Sequence, residues 1–560
     1  MAHKQFDALM TSILSLFRSS PLLFFLFVFC IQGVNAQDDA SMAPVSESYA
    51  ITGATVVVSP GQELPKGTVL VNKGLITAVG RDIKIPSDAI IIKADSMYVY
   101  AGFIDGFSHV GVMPSKNEKT EKLKYPGNPP PERAGITPQV DVRNLINPSD
   151  PSIKTLRNQG FTVAQVAPRG NMLPGQSSII LLGGNTVDEM VLTSQSSMYS
   201  ELTGTPGVYP STIMGVMAKW RELYRQARMH KDYSLLYKAN PQGLERPVSN
   251  QVLEAFYPVI EGKQPVMIKT DKIMDIQRAI SLKNDLGYRL ILGDLKEGWP
   301  ILDKIRNSTN GVYLSLSLPD DKKSKVDSVA SAERKELEKR KAEIITKHDS
   351  QPAIFNKSGI RFGFSTNSVQ PQDIQNNLRR MVAAGLSEND ALAALTTIPA
   401  QLMGLSNRLG TIEKGKLANL VLSDKPYFAD KAKVKKVFVE GNLYSVEDKP
   451  AVTNGKKAEI QGNWSYTTET PQGKGGGKLV IKERSGVYTG TITNNFSGQE
   501  TDVKDILLSG NSLSFSYTID VSGSSLKIEV SALVNGNSFE GSMTAGQYGT
   551  FPMMATKNPN

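Results

Sequence analysis

Cysteine is nearly absent: Cys30 is the single one in 560 residues. This excludes an intrachain disulfide framework and a multi-cysteine zinc site. Histidine is almost as scarce, with only His3, His109, His230 and His348. Catalytic zinc sites usually rest on two or three imidazoles, so the scarcity limits any metal-enzyme reading. Charge of one sign is lacking too. The 63 basic and 54 acidic residues are mixed along the chain, leaving a net charge of +9 without a basic cluster. No nucleic-acid partner is expected on that pattern. Nor is wholesale disorder, since 40% of the residues are hydrophobic and 21% charged.

What is present begins with an address. Lys4 and Arg18 precede the apolar run from Pro21 to Ile31, and Val34 and Ala36 sit before Gln37. This is the layout of a secretory signal cut after Ala36. The run is shorter than the ~20 residues that span a bilayer, so no transmembrane segment is expected after cleavage. Residues 1–36 read as leader and 37–48 as linker. The expected location is outside the cytoplasm, periplasmic or secreted, and cleavage would remove the one thiol.

Residues 49–98 are rich in β-branched strand patterns, with Lys73-Gly74 as a hairpin signal. A matching stretch lies at 406–447, with Ala418–Leu422 and Val434–Gly441 as its strands. The two are expected to pair into one composite β-domain around an inserted domain at 99–405. That insert alternates strands (Thr162–Ala167, Val266–Lys269, Arg289–Leu292, Val312–Leu316, Ile360–Ser365) with helices. The helices are expected over Ile213–Tyr233, Ile273–Leu286, Trp299–Arg306, Ala332–Lys347, Asp373–Ala384 and Glu388–Leu395. Such alternation reads as parallel βα units: an eight-fold barrel, with a doubly wound sheet as the alternative. Asp320–Asp349 carries nine basic and eight acidic residues, with Glu336/Arg340 at helical spacing, and reads as a solvated helix. After a linker at 448–458, residues 459–560 turn to alternating Gly-, Ser- and Thr-rich strands, opened by Gly462-Asn-Trp464. They predict an antiparallel β-barrel or sandwich that packs or binds an apolar ligand.

Residues 99–109, Val-Tyr-Ala-Gly-Phe-Ile-Asp-Gly-Phe-Ser-His, resemble the start of the metal-dependent amidohydrolase superfamily, especially its imidazolonepropionase-like and exported Gram-negative members. Leu378–Ala400 looks like that family's last barrel helices, and Leu409–Val421 like its return into the composite domain. The resemblance covers roughly 48–447. It implies an α/β fold: a (β/α)8 TIM-like barrel with a split β-sandwich, here followed by the C-terminal β-domain. It also implies hydrolysis of C–N bonds other than peptide bonds, by water on one or two divalent metals such as zinc. The family ligands are a His-x-His pair, a Lys or Glu on the fourth strand, His after the fifth and sixth strands, and Asp on the eighth. That Asp also takes the water's proton.

This chain departs at nearly all of those positions. The first His of the pair is Phe107, and His109 remains. Lys269 stands for the fifth-strand imidazole, Asp294 for the sixth, and Asn367 for the eighth-strand Asp. The fourth-strand ligand has no assigned residue. Phe107 has no lone pair, the ammonium of Lys269 repels a cation, and Asn367 is no carboxylate base. His109 and Asp294, with Asp105 near in sequence, fall short of the three protein ligands usual for catalytic zinc. A lone His109 otherwise reads as a hydrogen-bonded core residue at a strand end. His230 and His348 read as surface residues.

Three readings follow. The first is an eroded, metal-free member that binds a small molecule at the barrel mouth or supports a metal-retaining family member as a subunit partner. The second is an active hydrolase with a remodelled site, in which His109, Asp294 and Lys269 cluster and Lys269 is base or electrostatic donor. The third is an envelope-binding protein acting through 459–560. In the Gly-rich stretch Val166–Ile180, Arg169 is a candidate for binding a substrate carboxylate at the rim, against an ordinary loop.

Overall fold

Alternating β-branched residues make strands at both ends of the chain, and strand–helix alternation fills the middle. The computed structural model describes residues 47–113, 123, 125–321, 331–446, 459–470, 473–484, 487–495, 498, 500–509, 512–521, 524–545 and 550–558. The expected leader 1–36, linker residues 37–46 and the second linker 448–458 lie outside the described residues.

The chain opens with β1 (Ser48–Ser59), β2 (Gln62–Asn72), β3 (Leu75–Gly80), β4 (Ile90–Lys93) and β5 (Tyr98–Ala101). The barrel strands are β6 (Phe103–Ser108), β7 (Phe161–Val166), β8 (Gly175–Leu181), β9 (Val191–Glu201), β10 (Val266–Lys269), β11 (Leu290–Leu295), β12 (Gly311–Ser315) and β13 (Gly363–Ser365). The chain then returns through β14 (Leu420–Ser423), β15 (Val434–Val439) and β16 (Asn442–Ser445).

Strands from both sides of the barrel form one sheet in the order β16-β15-β14-β5-β1-β2-β3, with β4 on the first half of β1. In a flat sheet β15 would lie about 14 Å from β1, three strand spacings away. Yet the rings of Tyr49 on β1 and Phe438 on β15 meet edge-on at 5.3 Å. The sheet therefore rolls over its own core, which includes Ile51, Val69, Val99, Leu420 and Phe438. Tyr427 ties it to the barrel: its backbone N–H donates to the Tyr100 hydroxyl at 3.1 Å, and its own hydroxyl to Gln159 O at 3.1 Å.

The barrel sheet runs in chain order from β6 to β13. Its pairings are parallel except at β8, which is antiparallel to both neighbours. A pair of antiparallel turns thus replaces one βα return. The helices sit close to their expected spans: Ile273–Leu286 and Glu388–Leu395 match, while Ile213–Ala239 and Ser331–Lys357 run longer at their C-terminal ends. Local chemistry sets their ends. Thr212 and Ser387 cap two N-termini, and Gly287 ends the 273–286 helix at φ 82°.

Side chains join the first barrel strand to the last. The buried Asp105 carboxylate on β6 accepts from Thr366 N at 2.9 Å and Thr366 Oγ1 at 2.7 Å, just beyond β13. Ser365 Oγ donates to Phe107 O at 2.8 Å. Inside, Phe107, Ala167, Tyr199, Met267, Ile291 and Tyr313 pack as one cluster. Tyr313 lies so close to β6 that a Cβ on Gly106 would fall 2.0 Å from its ring.

The C-terminal strands are β17 (Gly462–Thr470), β18 (Gly473–Arg484), β19 (Val487–Asn494), β20 (Glu500–Ser509), β21 (Ser512–Val521), β22 (Ser524–Asn535), β23 (Ser538–Ala545) and β24 (Thr550–Lys557). They close into an antiparallel barrel, which decides between barrel and sandwich. Alternate residues, among them Trp464, Leu479, Phe515, Val530, Phe539 and Met553, fill its interior. Trp464 Nε1 donates to Ile460 O at 2.9 Å, so the buried indole keeps its hydrogen bond.

Two predictions follow. Gly106→Ala should lower stability by about 2–3 kcal/mol or prevent folding, because Tyr313 is boxed in and overpacking has no outlet; urea denaturation measures it. Burial pushes the Asp105 carboxyl up to about 6, against the lowering effect of its hydrogen bonds. Between its ordinary value and 6 the folded chain binds a proton that the unfolded chain has released. Its contribution to stability therefore falls as pH rises through that window. Asp105→Asn should flatten stability between pH ~4 and ~6, measured by denaturation at a series of pH values.

Candidate functional site

The C-terminal ends of the barrel strands are where barrel enzymes place their chemistry. Strand alternation puts alternate residues on the same face. Met267 belongs to the interior cluster, so Lys269, two residues on, faces the mouth from the end of β10. Tyr199 belongs to the same cluster, so Glu201 faces the mouth from β9. In the parallel register Glu201 lies beside Lys269.

Glu201 fills the fourth-strand position that the sequence left unassigned. The signal was weak because β9 reads Val-Leu-Thr-Ser-Gln-Ser-Ser-Met-Tyr-Ser-Glu, with few β-branched or apolar residues. Its carboxylate accepts the Tyr199 hydroxyl at 2.8 Å. Burial, and then the Glu201 charge, holds that hydroxyl's pKa well above its ordinary value.

Asp294 reaches the mouth through a bulge. Between β11 and β12, Leu292 pairs with Val312 but Leu295 with Leu314, so β11 carries one extra residue. Asp294 sits there at φ 51°. Its buried carboxylate accepts from Asn367 Nδ2 at 3.4 Å and the Ser368 hydroxyl, and its other oxygen lies 3.1 Å from Ser365 Oγ, whose one proton it shares with Phe107 O. The structure thus brings Asp294 and Asn367 together, with the amide as donor to the acid.

His109 lies on another side of the mouth. Its Nδ1 faces Ala167 O at 2.8 Å, which makes Nδ1 the protonated nitrogen and leaves the Nε2 lone pair to the mouth. Phe107 and Tyr199 meet its ring edge-on at 5.3 and 5.8 Å. Burial, then the positive charges of Arg169 and Lys269, push its pKa down to about 3. Arg169 follows Ala167 at the rim, exposed, with Nε at 3.4 Å from Val112 O. The stretch Gly175–Ile180, read as part of a loop, belongs to β8, and 167–174 is the loop proper.

Of the other three histidines, His3 lies outside the described residues and His230 and His348 are only half-exposed. His230 is held on both nitrogens, by Tyr257 Oη at 2.6 Å and Val248 O at 2.7 Å. His348 packs against Trp299 at 5.0 Å, with Nδ1 at 2.8 Å from Ile344 O. Both differ from simple surface residues, and both serve the outer helices.

The residues at the mouth do not fit a catalytic divalent metal. Among the described residues no three His, Cys, Asp or Glu side chains gather as a ligand group. The Asp105 and Asp294 carboxylates already accept donors on both oxygens. Phe107 occupies the first position of the expected His pair, fully buried. The donors that remain are the Nε2 of His109, which lies in the field of two cations, and the Glu201 carboxylate, one oxygen of which accepts the Tyr199 hydroxyl.

Residues 308–444 match the amidohydrolase family. The amidohydrolase tasK of Hapsidospora irregularis is 22% identical over 436 residues, 72% of this chain. The chain spans only 42% of that relative's length. Among solved structures, an amidohydrolase from Thermotoga maritima MSB8 superposes with a TM-score of 0.58 at 22% identity, over 71% of this chain and all of that one. That likeness supports the fold: rolled β-sheet, barrel and return strands. The family match at the far end of the barrel, the curated relative, the shared fold and the motif at 99–109 together support assigning the chain to the metal-dependent amidohydrolase superfamily.

Proposed function

We propose that this protein is an exported member of the superfamily that has lost metal-dependent hydrolysis and uses its barrel mouth to bind a small molecule. The observation that carries this is the state of the donors. Two carboxylates are engaged by backbone N–H, hydroxyl and amide groups, Phe107 is packed into the interior, and Lys269 stands in an imidazole position. Hydrolysis by the family's route needs an open metal with three protein ligands and a carboxylate to take the water's proton. Asn367, at the position of that carboxylate, donates its amide to Asp294 instead. Export rests on the leader-like segment ending at Ala36.

The test is a hydrolysis assay of the mature protein on amides, ureas, cyclic imides and dipeptides, with and without added zinc. The expected result is no turnover above the uncatalysed rate in either condition. Zinc-dependent turnover in the ordinary range of about 1–10³ per second would overturn the proposal.

A further inference from the structure

Among the described residues neither cation at the mouth forms a close ion pair: Lys269 has none, and Arg169 feels the charges of Asp150 and Glu201 only at longer range. Among the described residues Lys269 forms no ion pair and no side-chain hydrogen bond, although it is half-buried at the end of β10. Arg169 gives only its Nε to a carbonyl, which leaves the fork of its guanidinium unengaged. A half-buried ammonium without a counter-charge costs stability, so its retention calls for something to offset it.

The carboxylates nearest in the barrel hold neutral donors at hydrogen-bond distance. Glu201, beside Lys269 in register, takes its hydrogen bond from the Tyr199 hydroxyl. Asp294 is held by Ser365, Asn367 and Ser368. Each carboxylate thus accepts from neutral donors at hydrogen-bond distance, and both cations lie close enough to His109 for their charge to lower its pKa.

On the reading of the mouth as a binding site rather than a hydrolytic one, we propose that Lys269 and Arg169 bind the carboxylate of a small-molecule ligand beside His109. The guanidinium offers two parallel N–H donors that match a carboxylate edge, and the ammonium supplies a point charge. His109, with its unprotonated Nε2 toward the mouth, accepts a hydrogen bond from a donor elsewhere on the ligand. The count of charges selects a monoanion. Glu201 and Asp294 stay in the field of the two cations, so a second negative charge on the ligand, as on phosphate, meets repulsion.

The experiment is a ligand-observed NMR titration of the mature protein with benzoate, lactate and inorganic phosphate. Saturable binding of benzoate or lactate is expected, with phosphate at least about tenfold weaker, a difference of about 1.4 kcal/mol. Lys269→Met and Arg169→Gln should each weaken carboxylate binding by about tenfold or more, and Lys269→Arg should restore most of it. Arg169 is exposed, so its variant tests the site even if Lys269→Met fails to fold. No saturable carboxylate binding, binding unchanged in Arg169→Gln, or phosphate bound as tightly as benzoate overturns the proposal. A zinc-dependent hydrolase that binds benzoate through Arg169 would overturn the preceding reading and leave this one standing.

Discussion

A buried carboxylate holds this barrel shut. β6 and β13 are the two ends of the barrel sheet, and Asp105 clasps the Thr366 N–H and hydroxyl across them. Ser365 strengthens the seam through Phe107 O and then reaches on to Asp294. Three strands, β6, β11 and β13, are thereby knitted through one small polar network at the mouth. A charge so deeply buried is tolerated only with its hydrogen bonds satisfied, so these groups are not available for other duties.

The apolar side of the same region reinforces the point. Phe107, Tyr199, Met267 and Tyr313 fill the space beneath the mouth. Tyr313 fits because residue 106 is glycine, and Phe107 stands where a metal-binding chain needs an imidazole. Barrel closure and core packing are one physical arrangement, and it engages positions where the family resemblance places metal ligands. At the mouth the exposed Arg169 and the half-buried Lys269 lie near His109, with Glu201 beside Lys269.

Much of this was legible in the sequence. Strong apolar periodicity marked Ile273–Leu286 and Val266–Lys269 to the residue. The motif at 99–109 and the stretch 378–421 carried the fold, and Phe107, Lys269 and Asn367 are the sequence basis of the proposed altered site. Three things were hidden. β9 is too rich in serine to read as a strand, so Glu201 stayed unplaced. β8 follows a Gly- and Pro-rich stretch that reads as loop, and its antiparallel direction is set by pairing between β7 and β9. The bulge that turns Asp294 toward Ser365 and Ser368 depends on a register offset with β12, which no local pattern reveals. The histidines mislead in a similar way, since the contacts of His230 come from residues 18 and 27 positions away.

The central claim is that Asp105 and Asp294 serve the polar seam of the barrel instead of holding a metal. Metal analysis of the mature protein, purified from zinc-supplemented medium without chelators, tests it most directly. The account predicts well under about 0.1 equivalents of zinc, manganese, iron or nickel per chain, since two donors and their waters hold a divalent ion poorly. One tightly held equivalent per chain, released only on denaturation and absent from a His109→Ala variant, would contradict it.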